Sequence, residues 1–187
     1  MGLYEPFGRG QLSVDVRSVA AHDQGRNRRF PIEVWQPVVE PTGDVTAGSG
    51  VHPLIIYSHH SGGDRRAASY LCTHLASHGY VVAALDHSEV VAAELALPAE
   101  GTPHQRVEWA RRTWAPARVP DVRFLIDLML ERTTVDAGRI GIVGHSFGGW
   151  TALATPEQDS RVGAVVALAP AGSEPPPPGI IPVTLGF

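Results

Sequence analysis

The run Gly144-His145-Ser146-Phe147-Gly148 fits the pattern G-x-S-x-G, in which a serine hydroxyl is presented as a nucleophile for attack on an acyl carbon. The apolar run before it, Arg139 to Val143, has the composition of a buried strand, and a helix is predicted to start at Ser146. A serine in that setting needs a sharp, strained strand-to-helix turn to hold its hydroxyl above a sheet. Glycines at 144 and 148 let neighbouring backbone pass close to it. The helix N-terminus beneath Ser146 also directs free N–H groups to where an oxyanion would develop, that of Phe147 first. The plainer reading is a glycine-rich turn whose serine caps a helix; the strand before and the helix after argue against it.

One N–H does not make an oxyanion hole, so a second donor has to come from another loop. The loop after Tyr57, Ser58-His-His-Ser-Gly-Gly63, is placed to supply it. If the strand ending at Tyr57 neighbours the strand ending at Val143, both carboxyl ends open onto one crevice. Gly62 and Gly63 let this loop fold close to the serine, and the Ser61 N–H is the candidate donor. His59 and His60 have no Cys, Asp or further His at a matching spacing, so a metal site is not expected. Asp86-His87 is a second tempting pair. In the expected strand order it lies two strands from Ser146, roughly 10 Å away at about 4.8 Å per strand, beyond hydrogen-bond reach. The pair reads as structural.

The elements that must position these residues follow from hydrophobic period. Gln11 to Arg17 and Pro31 to Val39 read as a leading antiparallel pair, joined by an Arg-rich turn. Glu40 to His52 has loop composition. Pro53 to Tyr57 and Tyr80 to Leu85 are continuous apolar runs of the kind buried on both faces of a parallel sheet. Between them, Ala68, Leu71, Cys72 and Leu75 fall at helical spacing within Arg65 to Ser77, and Gly79 marks the stop. Residues 88 to 116 mix alanine-rich, proline and aromatic pieces; they form an excursion from the sheet and a candidate lid. Trp109 and Trp114 there suit either an acyl pocket or packing against the sheet. Helical period resumes from Val119 to Leu130. Val162 to Leu168 is a further strand and, after Pro175 to Pro178, so is Ile180 to Leu185. Strands alternating with helices imply a parallel sheet with helices on both faces.

With 187 residues, 43% of them hydrophobic, the chain suffices for one domain, taken as 1–187. A formal net charge of −4 and no Lys or Arg run give no footprint for nucleic acid or anionic lipid. The single cysteine, Cys72, excludes an internal disulfide and suits a reducing compartment. The N-terminus lacks a signal-peptide pattern and no stretch reaches the length of a membrane span, so a soluble, cytoplasmic protein is expected.

Taken in order, Tyr57-Ser-His-His-Ser-Gly-Gly63, His78-Gly-Tyr-Val-Val-Ala-Ala-Leu-Asp-His87, and Asp136 to Arg139 leading into Gly141-Ile-Val-Gly-His-Ser-Phe-Gly-Gly149 resemble the platelet-activating-factor acetylhydrolase and dienelactone-hydrolase-like branch of the α/β hydrolases. The resemblance implies the α/β-hydrolase fold and a cofactor-free serine hydrolase acting on a small-molecule ester. Ser146 would be the nucleophile, and Phe147 and Ser61 the oxyanion donors. Two departures stand out. His60 replaces the Gly that usually follows the first His of the oxyanion loop, and Ala169 stands where the acetylhydrolases close the next strand with Asp. Neither the acid nor the His of the triad is found at a matching position, and a C-terminally incomplete hydrolase is expected. Complementation by another segment or a homo-oligomer would then cover the sheet edge. The reading from a different class is a catalytically silent hydrolase scaffold or binding module. Within the enzyme class, a lactone or acyl-transferase substrate would leave the same motifs.

Overall fold

The computed structural model describes residues 8–38 and 51–171. The expected strand Ile180 to Leu185, the proline run before it and most of the Glu40 to His52 loop lie outside the described residues. Within them, β1 (Ser13–Asp23), β2 (Arg28–Val38), β3 (His52–Ser58), β4 (Val81–Leu85), β5 (Val135–His145) and β6 (Val162–Leu168) form one sheet in the order β1-β2-β4-β3-β5-β6. β1 and β2 pair antiparallel, β2 meets β4 antiparallel, and β4, β3, β5 and β6 run parallel. Tyr57 pairs with Val143, so the two carboxyl ends singled out above are neighbours.

The pleat sorts the strands into two cores, because successive side chains leave opposite faces. Leu54 and Ile56 of β3 and Val81, Ala83 and Leu85 of β4 face helix α4 (Ala115–Arg132), which supplies Val122, Leu125, Ile126 and Met129. Tyr57, Val82, Ala84 and Val143 face the other way, onto Cys72 and Ala76 of helix α1 (Ser69–Ser77). Each fully buried Leu or Ile in these layers is worth about 1.5–3 kcal/mol over its exposed state. Cys72 is part of that packing, and burial pushes its thiol up to about 12, which keeps it unreactive.

Several element boundaries differ from the sequence reading. The β1–β2 hairpin is longer, paired from Ser13 with Val38 to Asp23 with Arg28, and its turn is only the few residues around Asn27, at φ 49°. Helix α1 starts at Ser69, because Asp64 to Ala68 is taken up by successive turns. The excursion after β4 contains the short helix α2 (Ser88–Val91) and helix α3 (Pro103–Thr113), whose start is fixed by a capping box between Thr102 and Gln105. Helix α4 begins at Ala115, not Val119. Pro116 sits in its first turn, where a missing N–H is harmless. Pro120 lies inside it, and the Arg26 guanidinium donates to the Ala117 and Pro120 carbonyls nearby.

Candidate active site

Between β5 and helix α5 (Phe147–Ala154), Ser146 adopts φ 55° and ψ −117°, a conformation from which L-residues are sterically excluded unless the surroundings hold them there. Those surroundings are backbone. The Ser146 N–H donates to the Leu168 carbonyl of β6 at 2.9 Å, and the Ser146 carbonyl accepts from Ala171 N–H at 2.8 Å and Trp150 N–H at 3.1 Å. A Cβ at residue 144 would stand 2.0 Å from the Gly148 oxygen, and one at residue 148 would stand 2.0 Å from the Ser58 oxygen. The turn carrying Ser146 is therefore pressed directly beneath the end of β3. Phe147, the first residue of α5, has one of the N–H groups that no intrahelical carbonyl can reach.

The loop leaving β3 turns at once. Gly63 N–H donates to the His60 carbonyl at 3.1 Å, with Gly62 at φ 71° in the left-handed region, so Ser61 sits at an exposed corner of the loop. The His60 side chain lies over Gly63, where a Cβ would come within 3.0 Å of its ring, and its ring centroid is 5.6 Å from that of His145. That is how this chain accommodates a side chain at position 60.

Behind the crevice lies a buried polar network that sequence reasoning missed. The Ser58 hydroxyl donates to His87 Nε2 at 2.8 Å, and His87 Nδ1–H donates to Asp121 Oδ2 at 3.2 Å. Ser58, His87 and Asp121 are 0%, 1% and 0% exposed, so this Ser–His–Asp chain is sealed from any substrate. Burial holds His87 below its usual value, with Arg118 adding to the effect, and the ring is neutral. Burial alone would raise the Asp121 carboxyl, but hydrogen bonds from His87 and Ser88 outweigh it and keep the group ionised. Its charge is matched by Arg26 Nη1 at 2.6 Å. His59 donates from Nδ1 to the His60 carbonyl at 2.7 Å and accepts the His87 N–H on Nε2 at 3.1 Å; burial lowers it to about 2. Asp86 turns away from His87 and holds Arg65.

Arg118 is fully buried. Its Nη1 donates to the His59 carbonyl at 2.5 Å, its Nη2 pairs with Glu89, and its guanidinium lies 4.7 Å from the centre of the Phe147 ring. Phe147 in turn stacks on Trp150 at 5.4 Å and lies 6.2 Å from Trp114, whose indole N–H donates to the Leu95 carbonyl. The sequence did hold a signal for this layer. Arg118 and Asp121 fall on the same helical face as Val122, Leu125 and Met129, and charges inside an apolar stripe need buried partners.

An open cavity of about 410 Å³ in the excursion is lined by Pro98, Glu100, Gly101, Gln105, Arg106 and Trp109. None of the residues of the Ser146 turn is among its lining. Among the described residues no group of His, Cys, Asp or Glu is arranged to hold a metal ion, and no helix is long and apolar enough to cross a membrane. Among them, too, no side chain hydrogen-bonds the Ser146 hydroxyl. Ala169, at φ 42°, occupies the end of β6 where an acid would stand.

Fold and strained serine turn together define an α/β hydrolase, and the comparisons agree. Residues 33–119 match the family model for platelet-activating factor acetylhydrolase, isoform II, and residues 90–172 match that of the prolyl oligopeptidase family. The platelet-activating factor acetylhydrolase of Cavia porcellus is 27% identical over a stretch covering 64% of this chain and 35% of its own length. The chain thus spans about a third of the curated relatives it matches. Among solved structures, a ferulic acid esterase from Streptomyces cinnamoneus aligns with a TM-score of 0.65 at 25% identity, covering 92% of this chain and 63% of that one. A protein assigned as a dienelactone hydrolase from Klebsiella pneumoniae subsp. pneumoniae shares the fold, with a TM-score of 0.66 at 17% identity, covering 87% of this chain and 63% of that one. The chain belongs to the α/β-hydrolase superfamily.

Proposed function

We propose that the chain carries a cofactor-free serine hydrolase site for a carboxylic ester of the short-acyl or lactone type. One observation carries the reading: Ser146 is held at φ 55° while Gly148 brings the serine turn against the Ser58 and His59 backbone, at the start of the loop that would supply the second donor. In this reading the Ser146 oxygen attacks the ester carbonyl carbon. The carbonyl π electrons move to oxygen, and the Phe147 and Ser61 N–H groups stabilise that charge. Collapse of the tetrahedral species breaks the bond to the alkoxide, which leaves as the alcohol on taking up, by way of solvent, the proton given up by Ser146, and water then cleaves the acyl-serine to the acid and free Ser146.

The test is labelling of the purified chain with a fluorophosphonate, located by mass spectrometry of peptides. Label on Ser146 that is absent from Ser146→Ala supports the reading, because an ordinary surface serine reacts far more slowly. Equal, background labelling of both proteins overturns it and leaves the second reading, a silent scaffold. What favours that second reading is the lack of a base on the Ser146 hydroxyl among the described residues.

A further inference from the structure

We propose that Arg118 is a positioning residue that sets the separation of the two oxyanion donors. The inference rests on the serine-hydrolase reading for its consequence but on independent geometry for its substance. A guanidinium is planar and rigid, so groups bound to its different edges and face are fixed relative to one another. Arg118 binds one half of the site through an edge, from Nη1 to the His59 carbonyl at 2.5 Å, two residues before Ser61. It meets the other half where its guanidinium carbon lies over the Phe147 ring, 4.7 Å from the ring centre, on the residue whose N–H would be the first donor. Its Nη2 is held by Glu89 of α2.

The arrangement is costly if its only role is to join helices. Both charges are buried, and Arg118 Nε and Glu89 Oε2 have no partner. A buried ion pair commonly does no better than well-packed apolar residues of the same volume. One helical turn along α4, Asp121 reaches the same segment by a second route, through His87 to the Ser58 hydroxyl. Two charged residues of one helix face thus hold consecutive residues, 58 and 59, at the mouth of the oxyanion loop. Only Arg118 also touches the serine helix.

The variants are Arg118→Lys, which keeps the charge but not the planar fork, and Arg118→Met paired with Glu89→Gln, which removes both charges together. Fluorophosphonate inactivation separates reversible binding, KI, from reaction at the serine, kinact. Loss of a whole oxyanion donor costs about 10² to 10³ in rate, and misplacing donors costs less, so kinact of the double variant is expected to fall about 10- to 100-fold. KI is expected to stay within about twofold, since ground-state binding uses other contacts. Arg118→Lys should recover part of kinact. A structural role alone would lower stability and leave kinact of the folded fraction unchanged, which overturns the proposal.

Hydrogen exchange gives a readout that does not need reactivity. The Gly63 amide, bonded to His60, and the Trp150 amide, bonded to Ser146, should exchange about tenfold faster in the variants, with the β1–β2 hairpin unchanged. If the wild-type chain does not label at Ser146, the hydrolase reading fails and exchange alone decides this one. If the double variant does not fold, Arg118→Lys decides it by the same two measurements. Unchanged exchange at both amides in a folded variant overturns it.

Discussion

The Gly148 backbone lies against the Ser58 carbonyl so closely that a Cβ at residue 148 would stand 2.0 Å from that oxygen. Neither partner can yield locally, since Ser58 ends a central strand and Gly148 is in the first turn of α5. Gly148→Ala is therefore expected to cost about 1–3 kcal/mol as an overpacking change and to slow Ser146 labelling by prising the turn from the oxyanion loop. Urea denaturation and labelling kinetics measure the two effects. A variant as stable and as reactive as wild type would show the contact to be looser than described.

The strain at Ser146 has its own signature. Holding a side chain at φ 55° and ψ −117° costs on the order of 1–3 kcal/mol, and Gly alone escapes it. Ser146→Gly is expected to be more stable than Ser146→Ala by about 1 kcal/mol or more, although Gly is normally the less stabilising residue because of its unfolded-state entropy. Thermal unfolding of the two inactive variants side by side checks the order; the reverse order would mean an unstrained turn.

What could be read from sequence was what repeats or needs a special residue. Val162 to Leu168 was legible because a valine-rich apolar run of this length, entered from Ser160-Arg161 and stopped by Pro170, is too short for a helix. The glycines at 144 and 148 were legible because only they tolerate such close backbone. The ends of the β1–β2 hairpin were not, because Val16 and Val19 are exposed on an edge strand where no core enforces alternation. Helix α3 was hidden by its low apolarity, although Thr102-Pro-His-Gln105 spells a capping box. Arg118 and Asp121 were visible as charges in an apolar stripe, but their partners lie 29 to 95 residues away in sequence, and no local pattern encodes such pairings.

Asp121 is the hinge of the buried network, taking Arg26, Ser88 and His87 at once. Asp121→Ala leaves the His87 N–H and two Ser88 donors without an acceptor in a dry site, and is expected to cost about 3 kcal/mol. Arg26 suffers less, because it is partly exposed and keeps Asp23 at 2.6 Å. Urea midpoints report the loss; a change under about 0.5 kcal/mol would mean that water replaces the carboxylate freely.

Stability should fall in mild acid, and the cause is histidine. Burial lowers His59 to about 2 and also lowers His87, whereas each returns toward 6.5 when the chain unfolds. Below pH 6.5 the unfolded state therefore binds protons that the folded state refuses, and stability drops as pH falls. The limit is about 1.4 kcal/mol per pH unit for each histidine. Asp121 is silent here. Its folded value lies below its ordinary 3.8, so its contribution is complete above that value and is lost only as pH falls through the lowered one. Urea midpoints at pH 7 and pH 5 should differ, and less so in His59→Gln. Identical midpoints in wild type would place both rings in solvent.

Catalytic turnover by the chain should be weak, and its labelling by a fluorophosphonate slowed for the same reason. A serine hydroxyl is a weak nucleophile at neutral pH unless a base within hydrogen-bond reach takes its proton, and none of the described side chains bonds the Ser146 oxygen. His59 and His87 are unavailable, since both are buried and engaged elsewhere. Ala169 offers no carboxylate at the end of β6. An oxyanion hole and substrate binding by themselves still give about 10³ to 10⁴ over water, so a short-chain p-nitrophenyl ester should be cleaved weakly rather than not at all. Among the described residues the outer edge of β6, where Val166 is 45% exposed, pairs with no further strand. Adding a segment that pairs there and carries a histidine is expected to raise turnover by orders of magnitude. Efficient hydrolysis by the 187-residue chain unaided, lost in Ser146→Ala, would refute this and return the search for a base to His60 and His145, whose rings stand 5.6 Å apart beside the serine turn.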